Sequence, residues 1–324
     1  MAGSIRDRTT AKRAIVIEIT SMPVSPMIPK LYFIKGGNDM QEDFITYQGK
    51  KIWYAVFGKE MKKTPLLVVH GGPGFHTMTD VFSDFSDTRP VYFYDQLGCG
   101  HSDRADDPKD YTLAYYIAEL DAVIQALALD EVILLGDSWG GGLVPAYVID
   151  KKPPQVKALV LSSPVLGIPM LAASIRDNFK QLPDWVEQTL RAGDESLVFD
   201  QNYQMATITY YKKFYCNIDP VPEYVRQLMT ETNPDVYQTL WGPSEFTING
   251  TLKDFDLEPQ LHEITMPVLI TVGDSDAIGV KPLKDCQLKF PDADLAVIPH
   301  STHLHFLEKP ELYKLTIRDF LKNL

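Results

Sequence analysis

The segment around Ser138 has the residue types of a nucleophilic active site. Ser138 stands in the sequence GDSWG at 136–140, directly after the apolar run 132–135 and directly before a run with helical spacing. In that context a G-x-S-x-G sequence forms a tight turn that presents the serine hydroxyl above a sheet, near the positive end of the following helix. The sequence therefore predicts Ser138 as a nucleophile, the alternative being a glycine-rich turn with an incidental serine.

A serine hydroxyl is a weak nucleophile, so it needs a base, and the base needs a carboxylate to orient it. Asp274 and Asp276 follow the apolar run 269–272, and His303 lies between a later apolar run and the last helical segment. The chain order serine, carboxylate, histidine is that of the α/β-hydrolase fold. We predict His303 as the base and favour Asp276 over Asp274, because Asp276 lies further into the turn; the other aspartate is then a solvated turn residue.

An oxyanion hole is the remaining requirement of this chemistry. The sequence HGGPG at 70–74 follows the apolar run 66–69, and its glycines allow the chain to turn backbone N–H groups toward a developing negative charge. We predict the backbone amides of Gly72 and of Trp139, the residue after the nucleophile, as the donors. The alternative is a turn without a catalytic role.

A metal site is the competing interpretation of the histidine cluster. His300, His303 and His305 have the spacing HxxHxH but lack nearby carboxylate or thiolate ligands in a metal-site pattern. We therefore predict no metal and no cofactor, and we interpret His300 and His305 as packing or surface residues.

The elements that position these residues alternate between strands and helices from about residue 44, which predicts a mostly parallel sheet with helices on both faces. The alternation lapses over 165–255, a stretch rich in aromatic residues, Met and Pro that predicts a helical cap over the carboxyl edge of the sheet. The predicted strands are 52–57, 66–69, 91–94, 132–135, 158–161, 267–272 and 295–298. The predicted division is an N-terminal extension of unknown role over 1–43, a core over 44–164 and 256–324, and the cap over 165–255.

Composition limits the classes of partner. The chain has 324 residues and a formal charge of -12, which disfavours nucleic acid and anionic membranes and favours small cationic substrates. Its three cysteines are too few for a disulfide framework and indicate a reducing compartment, so we expect a cytoplasmic protein. The short apolar run 14–19 contains a glutamate and lacks a cleavage site, which disfavours a signal peptide. We expect a monomer or a small homo-oligomer.

Beyond these single motifs, the chain resembles the prolyl aminopeptidase, or proline iminopeptidase, family of α/β-hydrolases over residues 44–324. The resemblance rests on HGGPG, YDQLGCGHSD at 94–103, GDSWGG at 136–141, GPSEF at 242–246, GDSD at 273–276 and THLHFLEKPELY at 302–313. It implies a helical cap and removal of an N-terminal residue, often proline, from short peptides. It also supports Asp276 and His303 as members of a catalytic triad with Ser138, and it implies that Glu245 anchors the substrate's amino group.

One position departs from that family. Its members usually carry a glutamate directly after the triad aspartate to help hold the substrate's ammonium, whereas this chain has Ala277. We therefore expect a serine aminopeptidase acting on short peptides or aminoacyl amides through an acyl-enzyme, with an amino-acid amidase or esterase as the alternative. A non-enzymatic binding protein is disfavoured, because it has no need of all three triad residues.

Overall fold

A single β-sheet organises the molecule. The computed structural model describes residues 14–16 and 40–324. Over these residues the sheet has nine strands: β1 Ala14–Val16, β2 Gln41–Tyr47, β3 Lys50–Phe57, β4 Leu66–Val69, β5 Val91–Tyr94, β6 Val132–Asp137, β7 Val156–Ser162, β8 Val268–Gly273 and β9 Ala293–Ile298. Their order across the sheet is β1-β9-β8-β7-β6-β4-β5-β3-β2. Neighbouring strands are parallel except where β3 pairs with β2 and with β5, so the predicted mostly parallel sheet is confirmed.

The central strands are buried on both faces, as is usual for parallel strands. Every residue of β4 and of β6 is buried. Alternate residues of β4 contribute to two separate apolar clusters: Leu67 and Val69 to one, Leu66 and Val68 to the other. Side chains of successive strand residues point to opposite faces. The sheet therefore has an apolar core on each side, and both cores need covering.

Helices cover both faces. Over the described residues the α-helices are α1 Thr79–Phe82, α2 Leu113–Ala126, α3 Trp139–Lys151, α4 Ile168–Phe179, α5 Asp184–Ser196, α6 Gln201–Phe214, α7 Glu223–Thr230, α8 Pro234–Leu240, α9 Val280–Gln287, α10 His305–Glu308 and α11 Pro310–Phe320. Short 3₁₀ turns occupy Ser83–Asp87, Pro108–Asp110, Glu258–Glu263 and Leu321–Asn323. Leu120 of α2 and Leu143 of α3 pack in the cluster of Leu67, and Ile317 of α11 packs in that of Leu66. None of these helices combines the length and the apolar character needed to cross a membrane.

Helices α4 to α8 lie between β7 and β8. The two ends of this segment meet at an antiparallel bridge between Gly167 and Asp256. The bridge lies close to residues 165 and 255, where we place the cap boundaries from sequence. The division into core and cap stays a prediction, and the helices occupy the stretch in which strands were not expected.

The amino-terminal part differs from the sequence-based expectation in two strands. β2 begins at Gln41, before the boundary predicted at 44, and its residues QEDFITY are mostly exposed. Such a strand lies at the edge of the sheet, so it has no apolar run by which to recognise it. β1, which falls within the predicted extension, pairs in parallel with β9 at the opposite edge. The rest of the predicted extension up to residue 39, including residues 17–19 of the run 14–19, lies outside the described residues.

Candidate active site

Ser138 lies at the sharp turn between β6 and α3. Its backbone has φ 53° and ψ −112°, a conformation that residues with a side chain rarely adopt. The glycines of the motif make the turn possible. A Cβ atom on Gly136 would lie 2.4 Å from the carbonyl oxygen of Gly140, and one on Gly140 would lie 2.1 Å from the carbonyl oxygen of Val69. The turn therefore holds the serine directly before the N-terminus of α3.

The side chains of Ser138, His303 and Asp276 form a hydrogen-bonded line. His303 Nε2 is 3.0 Å from Ser138 Oγ, and His303 Nδ1 is 3.1 Å from Asp276 Oδ1. His303 and Asp276 are each 3% exposed. The turn after β8 carries the aspartate and the loop after β9 carries the histidine, so three parallel strands bring the three groups to one edge of the sheet. This geometry allows the imidazole to take the hydroxyl proton.

Asp274 has a different environment from Asp276. It is exposed, and its carboxylate accepts hydrogen bonds from the backbone N–H groups of His300 (2.8 Å) and Ser301 (3.2 Å). Those bonds join the turn after β8 to the loop after β9. The structure therefore brings Asp276 to His303 and leaves Asp274 as a turn residue.

The HGGPG loop passes beside the nucleophile. A Cβ atom on Gly71 would lie 3.4 Å from Ser138 Cβ, and Gly72 has φ 126°, which favours glycine. His70 Nε2 accepts a hydrogen bond from the Gln96 backbone N–H (3.0 Å), and the Gln96 side chain accepts one from Trp139 Nε1 (3.1 Å). These bonds tie the loop to the start of α3. The loop that carries Gly72 thus passes next to the serine, and Trp139 follows the serine in the chain. The roles of Gly72 and Trp139 as oxyanion donors stay a prediction.

Glu245 lies beside this line of residues, with an aromatic ring between it and His303. Its carboxylate accepts hydrogen bonds from the hydroxyl groups of Tyr215 (2.5 Å) and Tyr237 (3.1 Å). The ring of Tyr215 also packs against the imidazole of His303, with 4.8 Å between the ring centroids. A half-buried carboxylate near the base is a suitable partner for a cationic substrate group.

Comparisons with known proteins identify the family to which the chain belongs. Residues 64–310 match the family model described as alpha/beta hydrolase fold. A proline iminopeptidase from Heyndrickxia coagulans is 37% identical over 87% of this chain and 99% of its own. The chain belongs to the proline iminopeptidase family of α/β-hydrolases. Another family member, from Saccharolobus solfataricus, is 31% identical over 90% of this chain and 96% of its own. A crystal structure of the Mycobacterium smegmatis proline iminopeptidase has a TM-score of 0.80 and 27% identity, covering 87% of this chain and 98% of that one.

Membership of the proline iminopeptidase family confirms the predicted family, fold class and hydrolase activity.

The electrostatics of the site suit that chemistry. Burial lowers the pKa of His303, but the adjacent Asp276 carboxylate outweighs it and holds that pKa above its ordinary value. Burial raises the pKa of Asp276, but His303 and the Ser163 hydroxyl hold it below its ordinary value. The two groups therefore stabilise each other's charged forms.

Asp137, which directly precedes the nucleophile in this chain, is a buried acidic residue that was not predicted from the sequence to take part in the site. Burial raises its pKa to about 7, with Asp276 adding to the effect and His303 opposing it. Its Oδ1 atom has no hydrogen-bond partner among the described residues. The only signal in the sequence is an acidic residue at the variable position before the serine. Asp137 therefore supplies a second negative charge near His303 when ionised.

Ala277, His300 and His305 lie close to the triad residues in the chain and have different environments. Ala277, which the family resemblance marks as a departure, is fully buried and packs in the apolar cluster. His300 is exposed in its turn, whereas His305 is fully buried and hydrogen-bonded, with its Nε2 2.8 Å from Thr271 Oγ1. Across residues 14–16 and 40–324, no group of histidine, cysteine and acidic residues is arranged to hold a metal ion.

Proposed function

We propose that this chain is a serine aminopeptidase that releases an N-terminal residue, preferably proline, from short peptides. The observation that supports it most is the continuous contact from Ser138 through His303 to Tyr215, whose hydroxyl is bonded to the Glu245 carboxylate. The nucleophile and an acceptor for a cationic amine therefore lie on two sides of one histidine.

The reaction proceeds through an acyl-enzyme. His303 takes the proton of Ser138 as Oγ attacks the carbonyl carbon, and Asp276 stabilises the imidazolium that forms. The N–H groups of Gly72 and Trp139 donate to the oxyanion of the tetrahedral intermediate. The intermediate collapses as the C–N bond breaks, and His303 gives its proton to the leaving amine. Water, activated by His303, then adds to the acyl carbon and releases the amino acid and the free serine.

The negative charge of Glu245 selects the amino terminus in this proposal. Tyr215 donates a hydrogen bond to one carboxylate oxygen of Glu245 and Tyr237 donates one to the other, which fixes the orientation of the carboxylate. Burial raises the pKa of Glu245, and the hydrogen bonds from the two tyrosines oppose that rise. An incoming ammonium group replaces lost solvation and favours the ionised carboxylate.

An amino-acid amidase or esterase is the second candidate, and Ala277 is the observation that favours it. With an apolar side chain at this buried position, the site lacks a carboxylate that the family resemblance leads us to expect for holding an ammonium. Discrimination against N-blocked substrates is then weaker than in the relatives, and aminoacyl amides or esters become alternative substrates.

A substrate panel tests the two candidates. Purified protein is assayed with prolyl and alanyl arylamides, the corresponding amides and methyl esters, a proline-initiated tripeptide, and the N-acetylated form of each. Preferred cleavage of free-amine peptides and arylamides supports the aminopeptidase. Equal cleavage of free and N-acetylated compounds contradicts it and favours the amidase or esterase.

We base the proposed cellular location on the composition and on the state of the thiols. Cys99, Cys216 and Cys286 are all free and buried. Free thiols suit a reducing compartment, so a cytoplasmic location is proposed, with a monomer or small homo-oligomer as the working form.

A further inference from the structure

Ser163, directly after β7, has an unusual backbone. Its φ is 45°, in the left-handed region that glycine adopts more readily, and the residue is completely buried. Its backbone N–H donates to the carbonyl oxygen of Thr271 at 2.8 Å. Strained residues of this kind persist where the surrounding structure fixes them, and they cluster at functional sites. The hydrogen bonds of the Ser163 hydroxyl explain why a serine occupies this position.

That hydroxyl donates to Oδ2 of Asp276, while Oδ1 faces His303 Nδ1 (3.1 Å) and accepts from the Ile278 backbone N–H (2.8 Å). The other acceptor near the hydroxyl is the carbonyl oxygen of His303, which is more distant at 3.4 Å. Within the described part of the chain, Ser163 is the donor that satisfies Oδ2. Because Asp276 is buried, loss of this donor leaves one charged oxygen unpaired and lets the carboxylate rotate.

His305 holds the other side of Ser163. Its Nδ1 is 3.1 Å from the carbonyl oxygen of His303 and 3.3 Å from Ser163 Oγ. A carbonyl oxygen can only accept, so Nδ1 carries the proton and Nε2 accepts from the Thr271 hydroxyl at 2.8 Å. Burial lowers the pKa of His305 to about 4, which keeps the ring neutral. The single proton of the neutral ring lies on Nδ1, which faces both the His303 carbonyl and the Ser163 oxygen. Because the ionised Asp276 carboxylate can only accept, the Ser163 hydroxyl donates its proton to Asp276.

We infer that Ser163 and His305 are positioning residues that act through Asp276 and the backbone of His303. This inference rests on the proposed catalytic roles of those two residues. Ser163 aligns the carboxylate with the imidazole, and His305 fixes both the Ser163 hydroxyl and the His303 carbonyl. Both residues are completely buried, so neither presents a surface to a bound substrate.

The test compares Ser163→Gly with Ser163→Ala. Glycine removes the hydroxyl and relieves the strained φ, whereas alanine removes only the hydroxyl. Both variants should lower kcat for prolyl arylamide by about tenfold with KM changed less than about twofold, the effect of losing a hydrogen bond to a charged group. Ser163→Gly should be at least as heat-stable as Ser163→Ala. Ala128→Gly is the matched control, because Ala128 is exposed, has φ 51° and should show no loss of kcat.

A double-mutant cycle identifies the route of the effect. If Ser163 acts through Asp276, adding Ser163→Gly to Asp276→Asn should change kcat little further. Normal kcat in both Ser163 variants, or the same factor lost with and without Asp276→Asn, would overturn the inference. Ser138→Ala is assayed alongside: turnover that survives in that variant contradicts the proposed function itself, whereas its loss with normal Ser163 variants contradicts only the inference.

Discussion

Replacing Glu245 with glutamine should weaken cleavage of free-amine substrates and leave blocked substrates nearly unchanged. The carboxylate is half-buried and held by Tyr215 and Tyr237. Two opposite unit charges about 4 Å apart attract by about 4 kcal/mol at an effective dielectric constant of ~20. Desolvation of the ammonium and ordering of the substrate remove roughly half of that. A loss of about 2 kcal/mol corresponds to about a thirtyfold fall in kcat/KM.

The assay measures initial rates of prolyl arylamide and its N-acetyl derivative with the unmutated protein and with Glu245→Gln. Tyr237→Phe is the matched control, because it removes one hydrogen bond from the carboxylate but keeps the charge. It should reduce kcat/KM much less than Glu245→Gln does. If the glutamine variant loses the same factor on both substrates, or loses nothing on the free amine, Glu245 does not recognise the amino group.

The other predictions concern the triad and its electrostatics. Ser138→Ala and His303→Ala should each lower kcat by at least about a thousandfold without lowering the melting temperature, as measured by steady-state kinetics and calorimetry. Asp276→Asn should be comparably harmful and Asp274→Asn mild; the reverse ranking would show that the wrong carboxylate was chosen. Activity should fall as the pH decreases through the pKa of His303, which lies above its ordinary value of 6.5. Because the Asp137 carboxylate raises that pKa, Asp137→Asn should move the acid limb of the kcat/KM profile to lower pH, and an unmoved limb would contradict the coupling.

The sequence predicted those parts of the fold that carry their own local pattern. Apolar runs such as 66–69 and 91–94 correspond to the strands β4 and β5 without any shift of their ends. A buried parallel strand must be apolar on both faces, so it stands out from its surroundings. β2, an exposed edge strand, has no such requirement, and its pairing with β3 depends on tertiary structure.

The proximity of Ser138 and His303 was predictable, because motif and chain order coincide there, while their catalytic roles stay predictions. Other contacts between distant segments were not predictable. His305 was predicted to be a packing or surface residue, and it is buried; its partners Thr271 and Ser163 lie on other segments and were not predictable. The bond from Tyr215 to Glu245 likewise joins residues of two separate segments. Neither contact leaves a periodic or compositional signal in the chain.

The most direct test of the acyl-enzyme mechanism is intact-protein and peptide mass spectrometry after rapid acid quench during turnover of prolyl methyl ester. We expect a prolyl adduct on the peptide that contains Ser138, formed within the first turnover and absent in Ser138→Ala. Full turnover by the unmutated protein with no adduct, or with the adduct on another residue, would contradict it.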